Sequence, residues 1–366
     1  MPSCLERSRL AVTTLILTLL SSVFPSLAFA HEAYVEDRAY FWNALHTPSQ
    51  VNLWMTMADA HDRFIAITVT IGIFVVLVAN FFFLRTALSR RISQRLEQYA
   101  HLGPLFVRLT FAASLCFSAN FHSFYGPELD LGRLPAASTQ QAVLFITGIM
   151  IAFGVMTELA ALIALGMFLI ACGMFGLYMT NYANYLGEII ALVLFGARHW
   201  SADGVIFGTH WDWRQKFEHF EVVIIRVFYG VALLYAAITV KFLHPEITIK
   251  VVNDWNLTQF HWLFPSDPHL VTLGAGLAET AVGFFILIGF QLRLAVLISL
   301  FYITLSLLYF REAVWPHLLL YGISLDLLLQ PEHFTVDEWL FGKRGKAAEP
   351  ESHLPFITPQ SSHDGT

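Results

Sequence analysis

Apolar stretches long enough to cross a bilayer recur from one end of this chain to the other, and that recurrence limits the fold more than any other feature. Inside hydrocarbon, backbone N–H and C=O groups find no water, so a spanning segment satisfies them itself and folds as a helix. About nine spans are expected, at roughly 63–86, 104–122, 140–156, 159–178, 185–198, 221–243, 269–289, 293–310 and 314–330. Several are shorter than the roughly 20 residues of a perpendicular crossing, and 185–198 is the shortest. Only 13% of the 366 residues are charged against 56% hydrophobic, with a mean hydropathy of +0.60. A soluble domain carries roughly twice that charged share. The fold class is therefore all-α, a polytopic transmembrane helical bundle with membrane lipid as its solvent. No compact basic patch is present, so nucleic acid is not an expected partner.

Residues 1–30 read as a signal peptide. Arg7 and Arg9 precede the apolar run Leu10–Leu20, and Ala28-Phe29-Ala30 forms a small-residue cleavage site. That places the segment 31–62 on the outer side of a bacterial inner membrane. The basic residues then sort by side. Arg85, Arg90, Arg91, Arg95, Arg198, Arg214, Lys216, Arg293, Lys343, Arg344 and Lys346 fall inside, against Arg38, Arg63, Arg133, Lys241, Lys250 and Arg311 outside. Positive charge is retained on the cytoplasmic side, so the C-terminus is expected there. Cys116 and Cys172 lie in apolar segments and Cys4 precedes the signal's apolar run. No C-x-x-C pair occurs, which disfavours a thiol–disulfide relay.

The chain also carries a repeat. Nineteen residues separate Arg108 from Pro127-Glu128, and nineteen separate Arg226 from Pro245-Glu246. Each Arg opens a span and three spans follow. Four spans per unit is an even number, so the units are parallel repeats related by an axis along the membrane normal. The organisation expected is a lead span and inner loop over 63–103, a first four-helix unit over 104–198, an inner loop over 199–220, a second unit over 221–330 and a disordered cytoplasmic tail over 331–366.

Ionisable groups within spans are costly, and each is a candidate site. Glu279 lies near the middle of 269–289, where a carboxyl is protonated, paired or solvated by a cavity. It reads either as a proton acceptor beside a redox or transport site, or as a carboxyl bonded between helices. Glu188 stands as its rough counterpart in the first unit. Arg226 and Asp326 match in depth near the inner ends of their spans, suggesting an ion pair that either fixes packing or holds an anionic or quinone-like head group. Histidines 31, 46, 61, 122, 244, 261, 269 and 317 fall on or near the outer side without compact metal spacing. His317, opening the last span in Trp315-Pro316-His317, is the best single candidate for cofactor ligation. Cleavage after Ala30 leaves His31 at the mature N-terminus, where its α-amine and imidazole form a copper chelate. The stretch 244–268, rich in Trp and His, reads as a set of interfacial anchors or as a lid.

Over 221–330 the sequence resembles the DoxX family of small four-helix membrane proteins. The first helix reads Ile225-Arg226-Val227-Phe228-Tyr229-Gly230 with Lys241 fifteen residues after the Arg. The second runs from Gly274-Ala275-Gly276-Leu277-Ala278-Glu279 into Leu287-Ile288-Gly289-Phe290-Gln291-Leu292-Arg293. The first unit shares Arg108 and the span pattern but lacks a Lys matching Lys241 and a matching hairpin Arg. The resemblance implies a protein linked to sulfur or thiol oxidation and to quinone reduction, with other redox subunits as partners. It carries Arg226, Lys241, Glu279 and Arg293 over as candidate residues. A quinone-associated redox component or accessory subunit is the leading expectation. A permease working through Glu279 and an assembly or metal-handling protein working through His31 stand beside it.

Overall fold

A computed structural model describes residues 35–133, 136–197, 200–207, 217–259 and 265–342. The signal segment, His31, Arg198, Arg214, Lys216, His261, Trp262 and the basic residues from Lys343 onward lie outside the described residues. Every one of the nine apolar stretches is helical. A short α1 (Arg38–His46) precedes α2 (Ala60–Phe83) and α3 (Ala87–Glu97). The first unit comprises α4 (Gly103–Asn120), α5 (Ala137–Phe153), α6 (Thr157–Phe175) and α7 (Ala183–Phe195), followed by the short α8 (Ala202–Phe207). The second comprises α9 (His219–Ala236), α11 (Pro268–Ile288), α12 (Leu292–Tyr309) and α13 (Leu318–Leu329), followed by α14 (Val336–Phe341). Between α9 and α11 lies α10 (Pro245–Asp254).

Among the described residues, six apolar helical segments are long enough to cross a membrane; Ala137–Phe153 and Trp315–Leu329 are shorter. One of the six, Thr157–Phe195, has 39 residues. At about 1.5 Å per residue that is nearly twice a hydrocarbon core of about 30 Å. The chain resolves this by breaking at Gly176, whose φ of 59° stops α6, and α7 packs back along it. The molecule is a polytopic helical membrane protein.

Within the first unit α4 packs on α5, α5 on α6 and α6 on α7; within the second α9 packs on α11, α11 on α12 and α12 on α13. Across the boundary α13 lies against α4 and α7 against α9. One continuous apolar core, from Val107 and Phe111 through Tyr185 to Tyr229 and Leu327, joins them. Close approach is built in: a Cβ on Gly187 of α7 would stand 2.6 Å from the Phe228 Cβ of α9.

The two helix hairpins use one device. α5 ends at Gly154 and α11 at Gly289, with φ of 65° and 68°, the left-handed region where glycine carries no Cβ penalty. Two residues on, Met156 and Gln291 are also left-handed and start α6 and α12 without a capping side chain of their own. The cap arrives from far along the chain. Asp203 accepts from the N–H groups of Met156 and Thr157 at 2.8 and 3.0 Å. Asp337 accepts from those of Gln291 and Leu292 at 2.9 and 3.0 Å. Each aspartate's own N–H returns to the glycine carbonyl, at 3.0 Å for Asp203 and 3.1 Å for Asp337. Just before them Ser201 and Thr335 accept from Gly204 and Glu338, capping α8 and α14.

Three expectations need correction. Residues 244–268 are not all loop: Pro245 at the first helical position starts α10. The stretch 199–220 contains α8, and the C-terminal tail begins with α14, whose Asp337 is buried because it caps α12. The segment 31–62 is structured from residue 35 onward and binds both units. Arg38 donates to the Pro127 carbonyl at 2.5 Å and stands 3.5 Å from Asp130. On the other side Tyr40 and Ser49 donate to the carbonyl and carboxylate of Glu246, at 3.5 and 2.5 Å. The two Pro-Glu motifs are thus held by one N-terminal clasp. The lead helix α2 contrasts with the rest: none of its residues is buried. It is tied to the bundle by Asn80 and the Leu77 carbonyl, which bond the Gln291 amide at 2.8 and 2.9 Å.

Candidate functional site

Lys241 and Glu279 meet. α9 does not stop at Ala236 but continues through a π-helical stretch, Ala237–Leu243, before Pro245 opens α10. A π segment re-aims its side chains relative to the α-helical face, and such segments recur at functional sites. Here it turns Lys241 inward, its side chain only 3% exposed, with Nζ 2.9 Å from Glu279 Oε2 on α11. Gly276, one turn earlier on α11, lets the helices close: a Cβ there would sit 3.1 Å from the Lys241 Cβ. The pair is asymmetric. The Glu279 side chain is 34% exposed although it lies mid-helix. Tyr302 of α12, itself exposed, lies within electrostatic range of the carboxylate. Beside it the Thr280 hydroxyl is buried with no hydrogen-bond partner. The arrangement offers a buried ammonium donor, a reachable carboxylate and a spare hydroxyl.

The other sequence candidates are placed elsewhere. Arg226 is not paired with Asp326. Its guanidinium donates to the carbonyls of His333 and Phe334 at 3.0 and 2.8 Å, pinning the turn that leads into α14. The distance is the physical reason: the chain after α13 folds back over the end of α9 and presents two carbonyls first. Asp326 accepts from Gln330 at 3.1 Å and lies against Gly103, where a Cβ would collide with its carboxylate. Arg293, at the α11–α12 turn, contacts Ser93 and stands 3.5 Å from Glu97, fastening α3 to the second unit. His317 is buried with Nε2 3.1 Å from Glu312 Oε2 and Nδ1 3.2 Å from the Ala313 carbonyl. Among the described residues no group of three or more His, Cys, Asp or Glu is disposed to hold a metal ion.

Glu188 is not the counterpart of Glu279. It sits on the fourth helix of its unit, where it acts on the charge of Arg108, whereas Glu279 sits on the second. Counting ten residues back from the hairpin glycine reaches Glu279 in the second unit and buried Leu144 in the first. Arg108 behaves as Arg226 does: it donates to the Trp200 carbonyl at 2.8 Å, and Trp200 and Phe334 are both left-handed residues three before the capping aspartate.

Sequence reading missed a second buried polar group. Glu128 is 2% exposed and accepts from the hydroxyls of Tyr178 and Tyr182, at 2.9 and 2.5 Å, beneath α1. Burial raises its carboxyl to about 7, against the opposing pull of the Tyr182 hydroxyl, its own backbone N–H, the Tyr178 hydroxyl and Arg38. The Pro127-Glu128 motif marked the position, but its donors lie fifty residues away and no local spacing announces them.

No curated protein and no solved structure matches this chain. Residues 222–312 match the family model described as DoxX, from the start of α9 to just beyond α12, a stretch that contains the Arg226, Lys241, Glu279 and Arg293 positions. The second half of this polytopic membrane protein is DoxX-like.

Proposed function

We propose that the chain is a quinone-associated redox component of the DoxX type, seated in a bacterial inner membrane and acting with other redox subunits. The observation that carries this reading is the Lys241–Glu279 pair, with Glu279 one-third exposed at mid-helix. A group reaching that carboxylate without unfolding the bundle comes through the hydrocarbon, so it is lipid-soluble. A quinone supplies two-electron, two-proton chemistry when bound. The chain's own groups suit it: the Lys241 ammonium donates a hydrogen bond to a carbonyl oxygen, Glu279 holds or passes a proton, and the Tyr302 ring lies near the carboxylate. Purified protein is expected to retain quinone from the membrane, and Glu279→Gln to lose redox activity of the assembled complex. Protein that retains none, with activity unchanged in Glu279→Gln, overturns the proposal. The competing permease reading is favoured if liposomes containing the protein show substrate or proton flux that Glu279→Gln abolishes.

The layout behind this reading is an internal duplication, with the first unit a diverged copy. Its support is the atom-for-atom match of the two hairpin devices, Gly154–Met156–Asp203 and Gly289–Gln291–Asp337, with Arg108 and Arg226 on matching carbonyls. The match in helix packing adds to it. The first copy replaced Lys241 and Glu279 by Ser123 and Leu144 at the corresponding positions, leaving one such pair per chain. The orientation, with the C-terminus cytoplasmic, rests on the basic residues: Arg85, Arg90, Arg91, Arg95 and Arg293 gather at the end where α3 meets the α11–α12 turn.

A further inference from the structure

The first unit lacks the Lys–Glu pair but keeps a buried acid of its own. Glu128 faces Arg38 from α1, Tyr178 and Tyr182 from the 3₁₀ turn Gly176–Tyr182, and Tyr185 from α7, while Asp130 of its own loop stands beside Arg38. Arg38 does not neutralise it, being bonded to the Pro127 carbonyl and set beside Asp130. Lys241, on the adjoining end of α9, is turned to Glu279. One carboxylate oxygen takes both tyrosine hydroxyls; the other, Oε2, is buried with no partner. A bare carboxylate oxygen in that position is costly, while a carboxyl O–H relieves the charge. Inward from Tyr182, Tyr185 and Glu188 follow at three-residue steps, about 9 Å of rise along one face of α7. The Tyr182 and Tyr185 rings are 5.9 Å apart, and the buried Tyr185 hydroxyl lies beside the Ser114 hydroxyl. The vacant Oε2 at the head of this aromatic-walled column needs either water or an exchangeable proton to complete it.

We propose that Glu128 is a proton-binding site at the mouth of this column, taking up one proton from the solution at the α1 end of the bundle and releasing it again. The tyrosine hydroxyls are its hydrogen-bond partners. The balance is one proton onto Oε2 and one proton off, with no oxidant or reductant. The site is separate from the Lys241–Glu279 pair and does not depend on quinone.

Infrared difference spectroscopy of the full chain in lipid, titrated with pH, tests it through the stretch of the protonated carboxyl. The expected result is a band that disappears with a midpoint near 7, is missing in Glu128→Gln and persists in Glu279→Gln. Tyr182→Phe removes a donor to the ionised form, so the midpoint is expected to move up; a residue that only packs would leave it in place. Tyr178→Phe, which keeps the ring, reads the same shift if Glu128→Gln fails to fold. A band that survives in Glu128→Gln, a midpoint in the ordinary glutamate range, or a midpoint indifferent to both tyrosine variants overturns the proposal. So does loss of the band in Glu279→Gln, which would assign the proton to the other site.

Discussion

At the scale of single residues, the Lys241–Glu279 contact sets the strongest expectation. Lys241→Met leaves Glu279 without its cation, and Glu279→Gln leaves a buried ammonium facing a neutral amide. Breaking a fully buried pair costs about 3–5 kcal/mol; because Glu279 is one-third exposed, about 2–3 kcal/mol is expected here. The double variant is expected to recover part of this loss, as read by thermal unfolding in detergent. Single losses that simply add would show the contact contributes little. Glu128 sets a pH expectation. Its folded carboxyl lies at about 7, above the ordinary 4.5. Between those values the folded chain holds a proton that the unfolded chain has lost. The contribution is full below about 4.5 and falls away as pH rises through about 7, by on the order of 3 kcal/mol. Glu128→Gln is expected to flatten that part of the stability profile.

At the scale of elements, the hairpins depend on caps delivered from a distance. Asp337→Ala strips the α12 N-terminus of both bonds from Gln291 and Leu292, and Asp203→Ala does the same to α6. Leaving buried donors unsatisfied costs about 1–3 kcal/mol each, so a loss of roughly 2–4 kcal/mol is expected for Asp337→Ala, whose two bonds are buried, and a smaller one for Asp203→Ala, whose bonds are exposed and half-buried. Asn at either position retains part of it. Gly289→Ala is expected to be worse than Gly176→Ala although both have positive φ. A Cβ at Gly289 meets Thr335 at 2.6 Å and Arg226 at 2.9 Å, whereas Gly176 faces open space. Urea or heat unfolding of the four variants orders them. The π stretch of α9 belongs to this scale too: it exists because Pro245 forbids a regular continuation and Lys241 gains a partner by turning inward.

At the scale of the whole molecule, the N-terminal clasp closes the bundle over both Pro-Glu motifs. Lys250 strengthens it, held 2.7 Å from Glu36 and against Asp254, and these hydrogen bonds raise its ammonium above the ordinary lysine value. Arg38→Ala combined with Lys250→Ala is expected to free residues 35–49, so that limited proteolysis cuts there first while the spans stay intact. A cleavage pattern like the parent's would place the holding force in Phe41 and Ala44, which pack on Val240 and Ile247. By itself the sequence determined the medium and the elements: hydrocarbon demands internally bonded backbone, so the apolar stretches declared themselves as helices. It also picked out Glu279, because a charge in a span is expensive enough to stand out, while Lys241 was marked only by the resemblance to the DoxX helix. What only the tertiary structure decided was who pairs with whom. Arg226 and Asp326 agreed in depth, yet depth along a helix says nothing about azimuth, and two backbone carbonyls lay nearer. Asp203, Asp337, Tyr178 and Tyr182 act across some fifty residues of chain, where no periodicity reaches; packing alone brought them to Gly154, Gly289 and Glu128.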